Sequence, residues 1–283
     1  MTRILIITLF VVIMTPWNYA QEAGQTTNYK TEVGVPYYSE LSVEGDNYKR
    51  EMCVFDFYYP TDVEEFPTIV WFHGGGLRAG KRFIPEYLKN NGVAVMGVGY
   101  RLSPNVKVID CIRDAAAATS WAFEHIEEYG GRKDLIFVSG MSAGGYLSYM
   151  IGLDTSYLAV HGIDANQIAG LIPFSGHAIT HFTARSEKGI PGHQPIIDHL
   201  APLYHVRPDA PPLLIITGDR ELELLGRYEE SAFMMRMMKV AGHDRVKIYE
   251  LDGNNHGQMM YPALPLLLRE VKQLTNEILN KTE

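Results

Sequence analysis

The segment Gly140-Met141-Ser142-Ala143-Gly144 decides the predicted fold, because it joins a strand-like stretch to a helix-like stretch. Residues 135–138 before it form a short apolar run, and residues 143–153 after it have helical character. A serine on such a sharp turn stands at the edge of a sheet and at the N-terminus of the next helix, where negative charge is favoured. The segment therefore predicts Ser142 as a nucleophile, the alternative being a tight structural turn that happens to hold a serine.

Strand-like and helix-like patterns alternate on both sides of this turn. Short, nearly continuous apolar runs are typical of strands buried on both faces of a parallel sheet. They stand at residues 68–72, 93–98, 168–174, 213–216 and 246–249, and a pair of strands is predicted within residues 29–59. Helical spacing covers residues 106–129, 226–241 and about 263–280. This alternation predicts an α/β fold: a doubly wound, mostly parallel sheet with helices on both faces.

Residues 175–211 interrupt the alternation. Insertions at the carboxyl ends of parallel strands usually shape a binding cleft, so we expect a small cap here. The segment holds the histidines at positions 177, 181, 193, 199 and 205. These side chains could bind zinc in principle, but their spacing matches no helical ligand pair, and no metal is predicted.

A second motif, His73-Gly74-Gly75-Gly76, follows the predicted strand at residues 68–72. Consecutive glycines let backbone N–H groups approach a ligand closely, as stabilisation of an oxyanion requires. Most glycine runs are only flexible turns, yet this one stands at a strand end upstream of Ser142. We therefore expect its N–H groups to join that of Ala143 around a developing negative charge.

The chain has ten histidines, and His256 is the one predicted to act as general base. It lies in a loop just after the last predicted strand, and it follows Ser142 in the expected chain order. An acid that orients His256 should lie between the two. Asp219 and Glu221 both follow the predicted strand at residues 213–216. Residue type alone favours Asp219, since aspartate is the commoner partner of a catalytic histidine.

Together these motifs resemble those of the α/β-hydrolase esterase and lipase family, in particular its hormone-sensitive-lipase-like and acetylxylan and feruloyl esterase-like bacterial carboxylesterases. The motifs concerned stand at residues 73–76, 100–104, 140–145, 218–221 and 255–257. The resemblance implies that Gly75, Gly76 and Ala143 supply the oxyanion donors. It also moves the preferred acid from Asp219 to Glu221, because the family's acid usually lies three residues after the glycine that ends its strand.

The resemblance implies a serine carboxylesterase for short-chain acyl esters, with acetyl or feruloyl groups on small molecules or oligosaccharides as expected substrates. In the two-step acyl transfer of this family, Ser142 attacks the ester carbonyl and His256 moves the proton, so no cofactor is expected. Two positions depart from the family pattern. Met141 stands where the lipase-like enzymes usually have aspartate, and Glu221 stands where an aspartate is usual. Because of these two departures, the resemblance is a weaker guide to the specific substrate than to the reaction.

Three other functions use the same fold. A serine peptidase or amidase would need the same triad, although peptidases of this fold usually carry a large extra domain. A lipase for long acyl chains would be expected to have a long apolar lid segment, and none is seen. A catalytically inactive binding protein would be expected to have lost one of the motifs.

The bulk composition is that of an ordinary globular protein, with 283 residues, 46% hydrophobic and 20% charged. A net charge of −8 without a basic run offers no electrostatic surface for nucleic acid. The chain has two cysteines, Cys53 and Cys111, and we expect buried free thiols rather than a disulfide bridge.

The N-terminal residues 1–20 have the layout of a secretory signal peptide. Arg3 precedes an apolar run that is too short for a comfortable membrane span, and a polar stretch follows it. An uncleaved anchor is the alternative. We therefore predict export to the periplasm or the medium, a single domain over residues 21–283, and no stable membrane insertion after cleavage.

Overall fold

The computed structural model describes residues 27–224 and 226–281. In this part of the chain eight strands form one sheet in the order β1-β2-β4-β3-β5-β6-β7-β8. They are β1 (Tyr29–Pro36), β2 (Val54–Pro60), β3 (Phe66–Phe72), β4 (Ala94–Val98), β5 (Gly131–Met141), β6 (Gly170–Phe174), β7 (Leu213–Gly218) and β8 (Val246–Leu251). The pairs β1–β2 and β2–β4 are antiparallel, and all pairs from β4–β3 to β7–β8 are parallel. The predicted mostly parallel sheet is confirmed.

Helices connect the parallel strands and cover both faces of the sheet. The α-helices of the described residues are α1 (Asn47–Met52), α2 (Val108–His125), α3 (Ala143–Leu153), α4 (Ser156–Ala159), α5 (Phe182–Glu187), α6 (Arg227–Val240) and α7 (Met260–Leu279). A short 3-10 turn over Ile126–Tyr129 extends α2 and ends at Gly130, whose φ of 91° is left-handed. The helix predicted over residues 106–129 is thus α2 with this turn.

The strand β3 shows why the apolar runs form a buried sheet. Every residue from Phe66 to Phe72 is buried. Successive side chains of a strand point to opposite faces, and here Trp71 joins one hydrophobic cluster while Val70 joins the other. The helix α7 packs on the Trp71 face, and α2 and α3 pack on the Val70 face. A run without alternation is therefore the expected pattern for this strand.

The segment between β6 and β7 forms the predicted cap. It holds α5 and a 3-10 turn over Pro202–His205. The Thr183 hydroxyl of α5 donates to the Gly76 carbonyl oxygen at 2.6 Å, and the Tyr146 hydroxyl of α3 donates to the Leu200 carbonyl oxygen at 2.8 Å. These bonds place the cap against the glycine loop after β3 and against the helix that follows Ser142.

Three predictions concern the N-terminal segment, membrane insertion and the two cysteines. The predicted signal peptide, residues 1–20, lies outside the described residues. Among the described helices none is long and apolar enough to cross a membrane. Cys53 and Cys111 are both buried and free, as predicted. Burial raises the pKa of the Cys53 thiol to about 12, and the charge of Asp114 adds to the effect.

Candidate active site

Ser142 lies on a strained turn between β5 and α3. Its backbone has φ 57° and ψ −110°, a conformation that residues other than glycine rarely adopt. The surrounding chain holds it there: the Ser142 N–H donates to the Phe174 carbonyl oxygen at 2.7 Å, and the Ser142 carbonyl accepts from the Tyr146 N–H at 2.9 Å. Strain that is fixed in this way is typical of functional positions.

The turn requires a small residue at position 144 and leaves the serine hydroxyl free. A Cβ on Gly144 would lie 2.0 Å from the Phe72 carbonyl oxygen, so only glycine lets α3 approach β3 this closely. The Ser142 side chain is partly exposed and forms no hydrogen bond with any described residue. If the segment were only a structural turn, the Ser142 hydroxyl would be expected to form a hydrogen bond within the protein.

The glycine loop after β3 lies beside this serine. A Cβ on Gly74 would lie 3.5 Å from the Cβ of Ser142. Gly75 and Gly76 both have positive φ, 116° and 64°. The Gly75 carbonyl is turned inward, where it accepts from the N–H of Ala79 at 3.0 Å. The N–H groups of Gly75 and Gly76 donate to no acceptor within the described chain, so both are free to bind a ligand oxygen.

The residue pair His73 and Tyr100 holds the start of this loop. The Tyr100 hydroxyl donates to the His73 carbonyl oxygen at 2.7 Å, and the two rings stack at 4.3 Å. His73 Nδ1 lies 2.7 Å from the Gly74 carbonyl oxygen, to which it donates. Burial lowers the pKa of His73, which keeps the imidazole neutral. The motif at residues 100–104 thus contributes Tyr100, which holds the start of the glycine loop in place.

His256 lies in the loop after β8, with its ring directed at a buried carboxylate. Its Nδ1 is 2.5 Å from Glu223 Oε1 and 3.1 Å from Ser175 Oγ. The Ser175 hydroxyl itself donates to Glu223 Oε2 at 2.8 Å. The proton on Nδ1 is therefore donated to Glu223, which leaves the Nε2 lone pair of His256 as an acceptor.

The end of β6 contacts both Ser142 and His256. The backbone of Ser142 is bonded to Phe174, and His256 contacts the next residue, Ser175. No hydrogen bond joins the Ser142 hydroxyl to the imidazole within the part of the chain that the structure describes. Such bonds are often long in unliganded enzymes and tighten when substrate is bound. The two residues predicted from the sequence therefore both lie next to the end of the same strand.

The carboxylate partner of His256 is Glu223, so the expectation that Asp219 or Glu221 orients His256 is wrong. The Asp219 carboxylate accepts from the N–H groups of Glu221 and Gly253, both at 2.8 Å, and thereby fixes the loop. The Glu221 residue is exposed. The prediction fails because the chain turns after β7. In this turn the Glu223 N–H donates to the Asp219 carbonyl oxygen at 2.8 Å, and Glu223 is brought back over the strand end.

The environment of Glu223 holds it in the ionised form. Its side chain is fully buried, and its oxygens accept from the N–H groups of Leu224 at 2.8 Å and Gly218 at 3.1 Å. Burial by itself raises the pKa of this carboxyl, but the hydrogen bond and charge of His256, together with the hydrogen bonds from Leu224 and Ser175, lower it to about 2. The sequence offered one clue to this residue, its position four residues, or one helical turn, after Asp219.

Three of the cap histidines take part in packing or hydrogen bonding within the fold. His177 and His181 are buried and form a T-shaped contact at 4.9 Å between ring centroids. The His205 Nε2 donates to the His199 carbonyl oxygen at 2.8 Å. Over the described residues no group of three histidine, cysteine, aspartate or glutamate side chains is arranged to hold a metal ion.

A mostly parallel sheet, with a strained serine at the end of a central strand and a histidine–carboxylate pair beyond two later strands, is the architecture of the α/β-hydrolases. The chain belongs to the BD-FAE family, which it matches over residues 55–227, more than half of its length.

The curated relatives of the chain include esterases. Esterase LipC of Mycobacterium tuberculosis is 26% identical over 220 residues, which cover 68% of this chain and 53% of LipC. The chain thus spans about half the length of this relative.

Solved esterase structures share the fold over most of the chain. An esterase of the planctomycete Thermogutta terrifontis, solved with propionate bound, is 25% identical and superposes with a TM-score of 0.67, covering 88% of this chain and 94% of that chain. A truncated carbohydrate esterase from gut microbiota superposes with a TM-score of 0.71 over 90% of this chain and 99% of that chain. Its identity is 17%, so this likeness concerns the fold alone.

Proposed function

We propose that the protein is a serine carboxylic ester hydrolase, with Ser142 as nucleophile, His256 as general base and Glu223 as the orienting acid. The observation that carries the proposal is the pair formed by the buried Glu223 and the partly buried His256 at 2.5 Å, beside the strand end that also holds the backbone of Ser142. An imidazole whose Nδ1–H group is held by a carboxylate, together with a serine hydroxyl that has no partner among the described residues, is the arrangement that nucleophilic acyl transfer requires.

The reaction begins when Ser142 Oγ attacks the ester carbonyl and its proton passes to His256 Nε2. The Nδ1 proton stays on the imidazole, and Glu223 stabilises the imidazolium that forms. The negative oxygen of the tetrahedral intermediate accepts from the N–H groups of Gly75, Gly76 and Ala143. Removal of one such donor typically costs about 3–4 kcal/mol in the transition state.

The intermediate collapses when the C–O bond to the alcohol breaks and His256 returns its proton to the leaving oxygen. Water then attacks the acyl-enzyme, His256 takes the proton of the water, and the free acid leaves as Ser142 regains its hydrogen. No redox step or external cofactor is required by this sequence of transfers.

The substrate class we infer is a short-chain acyl ester, with acetyl groups on carbohydrate as the natural target and the bulkier feruloyl group as the alternative to be tested. The bound propionate of the Thermogutta esterase supports a short acyl group. The Phe182 ring of the cap supports it as well, since a Cβ on Gly76 would lie 2.8 Å from this ring. An aromatic ring so close to the glycine loop restricts the space beside the reacting carbonyl. The predicted export of the chain suits a polysaccharide substrate.

The test is a steady-state assay on the 4-nitrophenyl esters of acetate, butyrate and octanoate. We expect acetate to be preferred, and Ser142→Ala to reduce the rate by several orders of magnitude. The Ser156→Ala variant is the matched control, because this exposed serine lies in α4, away from the strand ends. Acetylated and feruloylated xylan then test the natural substrate. Equal rates for wild type and Ser142→Ala, or cleavage of amino acid anilides in place of esters, would contradict the proposal.

A further inference from the structure

A buried guanidinium group lies behind the Glu223–His256 pair and has no part in the acyl transfer. Arg227, the first residue of α6, is 2% exposed. One terminal nitrogen donates to the Ser175 carbonyl oxygen, and the other donates to His177 Nε2 at 2.9 Å. No carboxylate of the described residues forms an ion pair with it. Burying a cation in this way is unfavourable, and an apolar side chain of similar volume would avoid the cost.

The direction of the hydrogen bonds around Arg227 is fixed. Because a guanidinium can only donate, His177 Nε2 must accept, and the proton of this ring stands on Nδ1. The Nδ1–H group donates to Glu230 Oε2 at 2.9 Å, and the same oxygen accepts from the Ala178 N–H at 2.9 Å. Burial and the nearby Arg227 charge hold the pKa of His177 well below its ordinary value, so the ring is neutral. Two residues of α6, Arg227 and Glu230, are thus hydrogen-bonded to the chain where it leaves β6.

The same arginine also anchors the loop that carries the acid. The Arg227 N–H donates to the Leu224 carbonyl oxygen at 3.0 Å, and the Leu224 N–H donates to Glu223 Oε1 at 2.8 Å. The side chain of Arg227 donates to the carbonyl oxygen of Ser175. The hydroxyl of Ser175 in turn donates to the other carboxylate oxygen, Glu223 Oε2, at 2.8 Å. Ser175 has a φ of 45°, which a non-glycine residue keeps only when its surroundings hold it.

We propose that Arg227 is a positioning residue that acts through Ser175. By holding the Ser175 carbonyl it fixes the Ser175 hydroxyl between Glu223 Oε2 and His256 Nδ1. The Glu223 carboxylate and the Nδ1–H group of His256 are then held in hydrogen-bonding position, and the imidazole keeps its orientation toward Ser142. This inference rests on the proposed esterase function and adds a residue that the sequence motifs do not contain.

The first experiment compares Arg227→Met and Arg227→Lys in the full chain, assayed on 4-nitrophenyl acetate. For Arg227→Met we expect kcat to fall about 10- to 100-fold with little change in KM, the effect of a small misplacement of catalytic groups. Arg227→Lys, which keeps the positive charge and a single donor nitrogen, should restore part of the loss. The matched control is Arg207→Met. Arg207 also donates to main-chain carbonyls, those of Gly152 at 2.8 Å and Leu153 at 3.2 Å, but at the far end of α3.

A double-mutant cycle with Ser175→Ala separates positioning from a general loss of stability. If Arg227 acts through the Ser175 hydroxyl, Arg227→Met should lower kcat by less than about threefold in the Ser175→Ala background. The same loss in both backgrounds would overturn the proposal. Should Arg227→Met fail to fold, Arg227→Lys takes its place in the cycle, with a smaller but equally non-additive effect expected.

A measurement independent of turnover uses the proton on His256 Nδ1. A short, charge-assisted hydrogen bond to Glu223 should give this proton a far-downfield NMR resonance. We expect Arg227→Met and Arg227→Lys to shift or broaden it and Arg207→Met to leave it unchanged. An unchanged resonance in both Arg227 variants would refute the positioning role. If Ser142→Ala retains full activity, the proposed function fails, while the resonance still decides whether Arg227 positions the pair.

Discussion

The substitution Glu223→Gln tests the acid directly, because it changes one atom of a buried side chain. Glu223 Oε1 accepts from His256 and from the Leu224 N–H, and Oε2 accepts from Ser175 and from the Gly218 N–H. An amide offers one oxygen and one NH₂ group. Either orientation of the amide therefore sets its NH₂ against a backbone N–H, and one orientation also sets it against the Nδ1–H of His256.

The size of the loss follows from the tautomer of the histidine. With the NH₂ group toward Nδ1, the ring accepts at Nδ1 and carries its proton on Nε2, so His256 cannot take the proton of Ser142. Replacing the acid of a serine triad by its amide lowers kcat by about 10⁴-fold, the wrong tautomer being the cause. We expect Glu223→Gln to lower kcat/KM by about 10³- to 10⁴-fold, which corresponds to about 4–5.5 kcal/mol of transition-state stabilisation.

The assay is kcat/KM on 4-nitrophenyl acetate, with Glu221→Gln and Asp219→Asn as matched controls in the same loop. Glu221 is exposed, and Asp219 accepts only backbone N–H groups from within the described chain, so both variants should keep the order of magnitude of the wild-type rate. Glu223 is not the orienting acid if either control loses as much activity as Glu223→Gln, or if Glu223→Gln keeps an activity close to that of the wild type.

Three further predictions follow from the same contacts. Gly75→Ala would place a Cβ 2.0 Å from the Ala79 carbonyl oxygen, so kcat should fall about 10²- to 10³-fold in the ester assay, as for loss of an oxyanion donor. Tyr100→Phe removes the buried bond to the His73 carbonyl at 2.7 Å and should lower the free energy of unfolding by about 1–3 kcal/mol in urea titrations. The Glu223 pKa is lowered from 4.5 to about 2, so its carboxylate stabilises the fold above pH 4.5 and this contribution is lost as the pH falls toward 2. Urea titrations across that interval should show wild type losing stability that Glu223→Gln never had, and a constant difference between the two would contradict the pKa shift.

The elements of the fold could be predicted where burial is uniform. The helix expected over residues 143–153 is α3, Ala143–Leu153, because its pattern begins directly after a special turn. The strand expected at residues 135–138 is β5, Gly131–Met141. Of its first residues, Gly131 pairs with Phe66 of β3, and a register shift follows before Ile136 pairs with Thr68. Residues 132–134 between them are not buried, so an apolar pattern cannot reveal this start of the strand.

The site could be predicted where a backbone constraint leaves a mark on the sequence. The strained φ of Ser142 and the positive φ of Gly75 and Gly76 need glycine or small neighbours, and these stand out as motifs. The acid leaves no such mark. Glu223 is selected over Asp219 and Glu221 by how the chain turns after β7, and that turn depends on tertiary contacts.

The supporting residues could not be predicted from the sequence at all. Arg227 and Ser175 are 52 residues apart, and they meet only because α6 packs beside the end of β6. A helical position such as that of Arg227 is more often exposed, so its burial becomes visible only in the folded structure.

Covalent labelling with an organophosphonate ester, read by intact mass and peptide mapping, tests directly whether Ser142 is the nucleophile that His256 and Glu223 activate. We expect one adduct per chain, located on Ser142, with labelling absent in Ser142→Ala and strongly slowed in His256→Ala and Glu223→Gln. An adduct on another residue, or labelling of Ser142 at the wild-type rate in the His256→Ala variant, would contradict the assignment of this site.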